Sequence, residues 1–127
     1  MSELERVNRF VEDVSEALAL DMELQLHLNL VIEEMVVNVI SYAYPEGTTN
    51  DIQLVAESDG KVLTFVLSDH GKPFDPTAKE CADMNENPAN RNLGGMGIFI
   101  VKQMMDEVSY KRQNGKNWLT MKKIIKD

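Results

Sequence analysis

A single cysteine, Cys81, stands in a chain of 127 residues. One thiol cannot close an internal disulfide, which fits a reducing compartment, and Cys81 reads as a passive loop residue. Basic residues are also few. Thirteen Lys and Arg face 21 Asp and Glu, leaving a net charge of -8. So acidic a chain repels a phosphate backbone, which argues against broad nucleic-acid binding. An anionic ligand must then be held locally, by a metal, a backbone nest or a few basic groups. No apolar run approaches the roughly 20 residues that span a bilayer. No charged-then-apolar leader opens the chain. The expectation is a cytoplasmic protein without a membrane partner. No His, Cys and Asp cluster has metal-ligand spacing, so zinc is not expected.

What is present is enough apolar material for a core. Hydrophobic residues make up 43% of the chain, too many for disorder, and the length suits one domain. Leu4, Val7, Phe10, Val11, Val14 and Leu18 recur at helical spacing, predicting a helix from Ser2 to Ala19. A second helix is predicted from about Met22 to Tyr42, with a wide apolar face that should lie across a sheet. Pro45 and Gly47 follow it as stop signals. The period then changes to two. Ile52, Leu54 and Ala56 alternate with polar neighbours, as do Leu63, Phe65 and Leu67 with Val62, Thr64, Val66 and Ser68. Ser58-Asp59-Gly60 between the two runs reads as a hairpin turn. Gly71 to Gly97 has little periodicity and is rich in Pro, Asn and Gly, and a loop that long is more often functional than accidental. A third helix is predicted over Ile98 to Asp106. A last hairpin runs from Val108 to Ile125 around Asn114-Gly115, with Trp118 expected to be buried against the helices. The order helix, helix, strand, strand, loop, helix, strand, strand predicts an α+β two-layer sandwich with its helices on one face.

Three local patterns carry chemistry. Glu34 and Asn38 are one helical turn apart and share a face. An amide oxygen is a hard ligand suited to Mg²⁺, and a carboxylate can take a proton from an attacking hydroxyl or water. Asp69 stands where an apolar strand ends and a turn begins, with Gly71 two residues on. A carboxylate there can accept an adenine amino group, and glycine lets the backbone come close. Leu93-Gly94-Gly95-Met96-Gly97-Ile98 runs straight into the third helix. Glycines before a helix start expose N–H groups where the helix dipole is positive, a cradle for phosphate. It is not a Walker A loop, since no Gly-Lys-Ser/Thr follows, and not a Rossmann fingerprint, since no strand immediately precedes it.

Taken in this order, the three patterns resemble the GHKL superfamily of gyrases, histidine kinases, mismatch-repair ATPases and heat-shock chaperones. Within it the chain looks most like the anti-sigma-factor serine/threonine kinases. The family's N-box is matched by Glu33-Glu34-Met35-Val36-Val37-Asn38. Its first glycine box is matched by Asp69-x-Gly71 followed by Pro73-Phe74-Asp75-Pro76. Its second is matched by Gly94-Gly95-Met96-Gly97-Ile98-Phe99-Ile100-Val101, with Met105-Asp106-Glu107-Val108 beyond it.

The resemblance implies one ATP-binding domain over residues 1–127, using ATP or ADP and Mg²⁺. Glu34 would be the general base, Asn38 the Mg²⁺ ligand and Asp69 the adenine contact. Gly71, Phe74, Gly94, Gly95, Met96 and Gly97 would border the nucleotide, and residues from about Asp75 to Leu93 would form a mobile lid. It further implies a homodimer, a small anti-anti-sigma (STAS-type) substrate and a sigma factor held inactive. This chain departs from the pattern in three places. Pro73 replaces the second glycine of the first box. The last strand often carries a Thr near the adenine, and here Asn117 or Thr120 would take that place. A β-strand usually precedes the first helix, which here begins beside Met1, so the expectation is either a sheet without that strand or a sequence that starts late.

Two functions follow. One is a serine/threonine kinase acting as an anti-sigma factor. The other is a nucleotide-binding module that sequesters a partner with little or no turnover. A histidine kinase is disfavoured, because the chain has no phospho-accepting helix.

Overall fold

The computed structural model describes residues 2–42, 52–78 and 93–126. The predicted stop signals Pro45 and Gly47, Cys81 and most of the expected lid lie outside the described residues.

The first helix, α1 (Glu3–Ala17), begins where Ser2 Oγ accepts the Glu5 N–H at 3.1 Å. Val7 and Val11 are buried and Phe10, Val14 and Leu18 half-buried, following the predicted stripe. The helix ends in a Schellman motif. Leu20 N–H reaches Ser15 O at 2.9 Å, and Ala19 N–H reaches Glu16 O at 3.2 Å. That motif needs a left-handed residue, and Ala19 supplies it at φ 55°. The second helix, α2 (Met22–Tyr42), starts on Asp21, whose Oδ1 accepts the Leu24 N–H at 2.8 Å. Leu28, Val31, Ile32, Met35, Val36 and Val39 form its buried side. The apolar residues of α2 outnumber its core positions, so Met22, Leu26 and Val37 are exposed.

Four strands follow: β1 (Ile52–Ser58), β2 (Val62–Asp69), β3 (Glu107–Gln113) and β4 (Lys116–Ile124). They form one sheet in the order β1-β2-β4-β3, and all three pairings are antiparallel. Both predicted hairpin turns are present. In the first, Asp59 Oδ1 accepts the Val62 and Lys61 N–H groups, each at 2.9 Å, and these bonds hold its carboxyl below the ordinary carboxylate range. In the second, Asn114 and Gly115 sit at φ 56° and 74°, the left-handed pair of a type I′ turn.

The period-two pattern decides which side of the sheet meets the helices. Leu63, Phe65 and Leu67 of β2 and Leu119 and Met121 of β4 are buried with the helix residues. Phe65 meets Phe10 of α1 edge-on, ring centroids 6.4 Å apart. The expected two-layer α+β sandwich is therefore observed.

Two expectations need correction. Trp118 is not buried against the helices. It alternates with core-facing Leu119 and so stands half-buried on the outer face, donating to Gln113 O at 3.2 Å beneath the Lys116 ammonium. Hydrophobicity alone suggested a core place, but the strand period overrides it. The third helix, α3 (Leu93–Met104), starts five residues earlier than predicted. Its glycines hid the start, because their intrinsic preference for helix is low. Ile98, Val101 and Met105 bury its apolar side as expected.

Replacing Ala19 by glycine should remove the left-handed strain and raise the unfolding free energy by about 0.5–1 kcal/mol. Urea unfolding of the two proteins checks this, and a destabilised variant would contradict the assignment of the motif.

Candidate functional site

Two clusters are built at the positions singled out from the sequence. The first lies between α2 and α3. Asn38 is only 3% exposed, Glu34 is half-buried, and Gly97 is the residue of α3 that faces both. A Cβ on Gly97 would stand 2.7 Å from Glu34 Oε2 and 3.2 Å from Asn38 Nδ2. A Cβ there would push the end of Glu34 aside and crowd Asn38, so glycine keeps the space beside these two side chains open. Asn38 Nδ2 is buried with no hydrogen-bond partner among the described residues. An unsatisfied buried polar group typically costs about 1–3 kcal/mol. Ser15 Oγ and Asn29 Oδ1 are likewise buried without a partner among the described residues, so it is the neighbourhood of Glu34 and Gly97 that sets Asn38 apart.

Because α3 begins at Leu93, Gly94 and Gly95 lie within its first turn rather than ahead of it. The N–H groups of that turn have no partner inside the helix, so the expected cradle would be formed by the first turn of α3 itself and not by a loop ahead of it. The backbone of Met96 is helical as well.

The second cluster lies where β2 ends. Asp69 is 2% exposed, and its Oδ1 accepts the Gly71 N–H at 2.8 Å and Asn117 Nδ2 at 2.9 Å. Sheet register places Asp69, Asn117 and Arg112 in one row. Asn117 also donates to Lys72 O at 2.8 Å and accepts the Phe74 N–H at 3.3 Å, so Phe74 is tied into the same cluster. This settles which last-strand residue stands beside Asp69. It is Asn117. Thr120 falls on the outer face, paired with Val66 and Ser109.

A 3-10 turn, Pro76–Ala78, follows Phe74, and Lys102 Nζ of α3 donates to Thr77 O at 3.3 Å. The segment leaving the second cluster is thus pinned to the helix that carries the first. Sequence reasoning missed three supports: Tyr110, whose OH donates to Asn117 Oδ1 at 2.5 Å, Arg112, whose Nη1 donates to Gly71 O at 2.7 Å, and Lys102. Only strand register could have found the first two. Among the described residues no group of three or more His, Cys, Asp or Glu could hold a metal ion. An open groove of about 600 Å³ lies on the outer face of the sheet, between Val62, Thr64 and Ile124, and it contains none of these residues. Glu57, Asp59, Asp106 and Glu107 outnumber its one lysine, Lys122, so its charge opposes phosphate.

The sequence matches the model of the histidine kinase-like ATPase domain over residues 1–123. The chain belongs to this family. It is 26% identical over 98 residues to the serine/threonine-protein kinase BtrW of Bordetella bronchiseptica, covering 77% of this chain and 69% of that protein. It is 32% identical over 102 residues to the serine-protein kinase RsbW of Staphylococcus aureus, covering 76% of this chain and 64% of that protein. The chain therefore spans less than two thirds of the RsbW proteins it matches. These relatives agree with the resemblance to anti-sigma-factor kinases drawn from the motifs. Among solved structures, the catalytic domain of the histidine kinase ThkA aligns with a TM-score of 0.59 at 12% identity, over 98% of this chain and 94% of that one. A blue-light activated histidine kinase of Erythrobacter litoralis aligns with a TM-score of 0.60 at 17% identity, over 83% of this chain and 31% of that one. At such identities the likeness speaks for the ATPase-domain fold alone. Among the described residues no helix is long and apolar enough to cross a membrane.

Gly97→Ala tests the first cluster. Alanine favours a helix by about 0.8–1 kcal/mol over glycine, and the end of Glu34 can swing aside, so unfolding free energy should change by no more than about 1 kcal/mol. ATP·Mg²⁺ affinity should nevertheless fall by roughly tenfold or more, equivalent to about 1.4 kcal/mol. Calorimetric titration giving unchanged affinity would remove Gly97 from the site.

Proposed function

We propose that this chain binds ATP with Mg²⁺ and transfers the γ-phosphoryl group to a serine or threonine of a small anti-anti-sigma, STAS-type protein, and that it also holds a sigma factor inactive. The observation that carries the reading is the cluster of Glu34 and Asn38 against Gly97, beside the first turn of α3. A buried amide beside a carboxylate, in a gap that Gly97 leaves open, could present its oxygen to a hard cation once the side chain is turned. No larger carboxylate cluster is needed, because Mg²⁺ is usually held by one or two protein groups together with substrate phosphates and water. Bound there, Mg²⁺ would neutralise charge on the β- and γ-phosphates.

The chain's own residues divide the remaining work. Gly94 and Gly95 bring first-turn N–H groups to the phosphates. Asp69 accepts the adenine amino group, while Phe74 and the backbone after Gly71 border the base. Glu34 takes the proton of the attacking hydroxyl as the new O–P bond forms, and ADP departs with the electrons of the broken bond. The names of BtrW and RsbW support protein serine/threonine phosphorylation as the reaction. A homodimer belongs to the same reading. Two apolar surfaces are available to a second copy: the outer face of the sheet, where Val55 and Ile124 are 51% and 50% exposed, and the Met22–Leu26 side of α2.

Two experiments test this. Glu34→Ala should leave ATP·Mg²⁺ binding in place while phosphoryl transfer falls by about 10²–10⁴-fold, the usual worth of a general base. Asn38→Ala should also weaken the magnesium dependence of binding. Glu33 lies about 100° round the helix and its alanine variant should keep activity. A dead Glu33→Ala with a fully active Glu34→Ala would show the register to be wrong. Full turnover in all three would favour a sequestering module instead. For association, sedimentation should show a dimer at micromolar concentration, and a monomer at high concentration would remove that part of the proposal.

A further inference from the structure

We propose that Asn117 is a positioning residue for the nucleobase pocket: it orients Asp69 for a 6-amino purine and does not itself contact the base. The inference rests on the ATP-site reading above and deepens it, because it concerns how adenine is told from other purines.

Counting hydrogen-bonding capacity carries the argument. A side-chain amide has two N–H donors and an oxygen with two lone pairs. Asn117 is 4% exposed and uses all four inside the protein. Its Nδ2 donates to Asp69 Oδ1 at 2.9 Å and to Lys72 O at 2.8 Å. Its Oδ1 accepts the Phe74 N–H at 3.3 Å and the Tyr110 hydroxyl at 2.5 Å. The amide cannot be turned over, since the Lys72 carbonyl can only accept and the Phe74 N–H can only donate. Nothing is left over for a base. Asn117 therefore does not replace a direct contact from the last strand. It acts through its neighbours.

The neighbour that matters is Asp69. Among the described residues both of its hydrogen bonds, from Gly71 N–H and from Asn117, fall on Oδ1. They fix the plane of a carboxylate that is 2% exposed and leave Oδ2 as its remaining acceptor. A fixed acceptor favours an amino group and repels a keto oxygen, and a site built to meet one polar group rejects an analogue that lacks it. The same amide ties the backbone of Lys72 and Phe74 to β4, and Arg112 ties Gly71 O to β3 at 2.7 Å. The floor on which Asp69 stands is thus stapled to two strands.

The test uses the full chain and two probes: ADP, and inosine diphosphate, which carries a keto oxygen where ADP carries its amino group. Calorimetric titration of the wild type should give tighter binding of ADP. Asn117→Ala should weaken ADP about tenfold and inosine diphosphate little, so the preference collapses. Asn117→Thr keeps one donor and one acceptor and should fall between. In an Asp69→Asn background, Asn117→Ala should change the preference no further. Equal loss for both nucleotides, or an unchanged preference with the fold intact by urea unfolding, would overturn the inference. Should Asn117→Ala fail to fold, Asn117→Thr in both backgrounds gives the same comparison. A wild type that binds ADP while preference ignores Asn117 defeats only this inference. A wild type that binds neither nucleotide defeats the ATP-site reading and this inference with it.

Discussion

The seat of α3 on α2 is the constraint that organises this molecule. Where Gly97 crosses Glu34 and Asn38, an added Cβ would come within 2.7 Å of Glu34 Oε2 and displace it. Much depends on that approach. It brings the first turn of α3, with Gly94 and Gly95, to the same place as a carboxylate and a buried amide. The core then locks it. Ile98 and Val101 of α3 are fully buried, within the same cluster as Ile32, Met35 and Val39 of α2. Dense interiors resist such shifts, so a polar cluster set between two packed helices holds its geometry without a dense hydrogen-bond network of its own. Asn38 Nδ2 finds no hydrogen-bond partner there among the described residues.

The opposite solution is used at the end of the sheet. There Asp69, Asn117 and Tyr110 are linked by hydrogen bonds, Arg112 holds Gly71 O beside them, and their positions come from strand register. Satisfied buried networks rigidify, whereas an unsatisfied one waits for a partner. The same fold thus holds one polar cluster tied by hydrogen bonds and one placed by helix packing. The 3-10 turn at Pro76–Ala78 and the Lys102 bond to Thr77 O connect them.

Much of this was legible in the sequence, for identifiable reasons. Helical and two-residue periods are local, so α1, α2, both hairpins and the two-layer arrangement were readable from Val7, Val11, Phe65 and their like. Spacing alone put Glu34 and Asn38 on one face. The motifs located Asp69 and the glycines. Less was readable where placement depends on non-local pairing. Tyr110 and Arg112 join the site only because β3 and β4 pair in one register, and Asn117 could not be chosen over Thr120 until that register assigned each a face. The start of α3 was misplaced because three glycines suppress the local helix signal while tertiary packing supplies it. Trp118 was misplaced because bulk suggests burial, while strand alternation points it outward.

The account's central claim is that Asn38, Glu34 and the first turn of α3 together form one ATP·Mg²⁺ site. Calorimetric titration of the unaltered chain with ATP, in the presence of Mg²⁺ and then of a chelator, tests this directly. The account predicts one nucleotide bound per chain, with affinity clearly higher when Mg²⁺ is present. Absence of ATP binding, or binding that is equally tight with and without Mg²⁺, would contradict it.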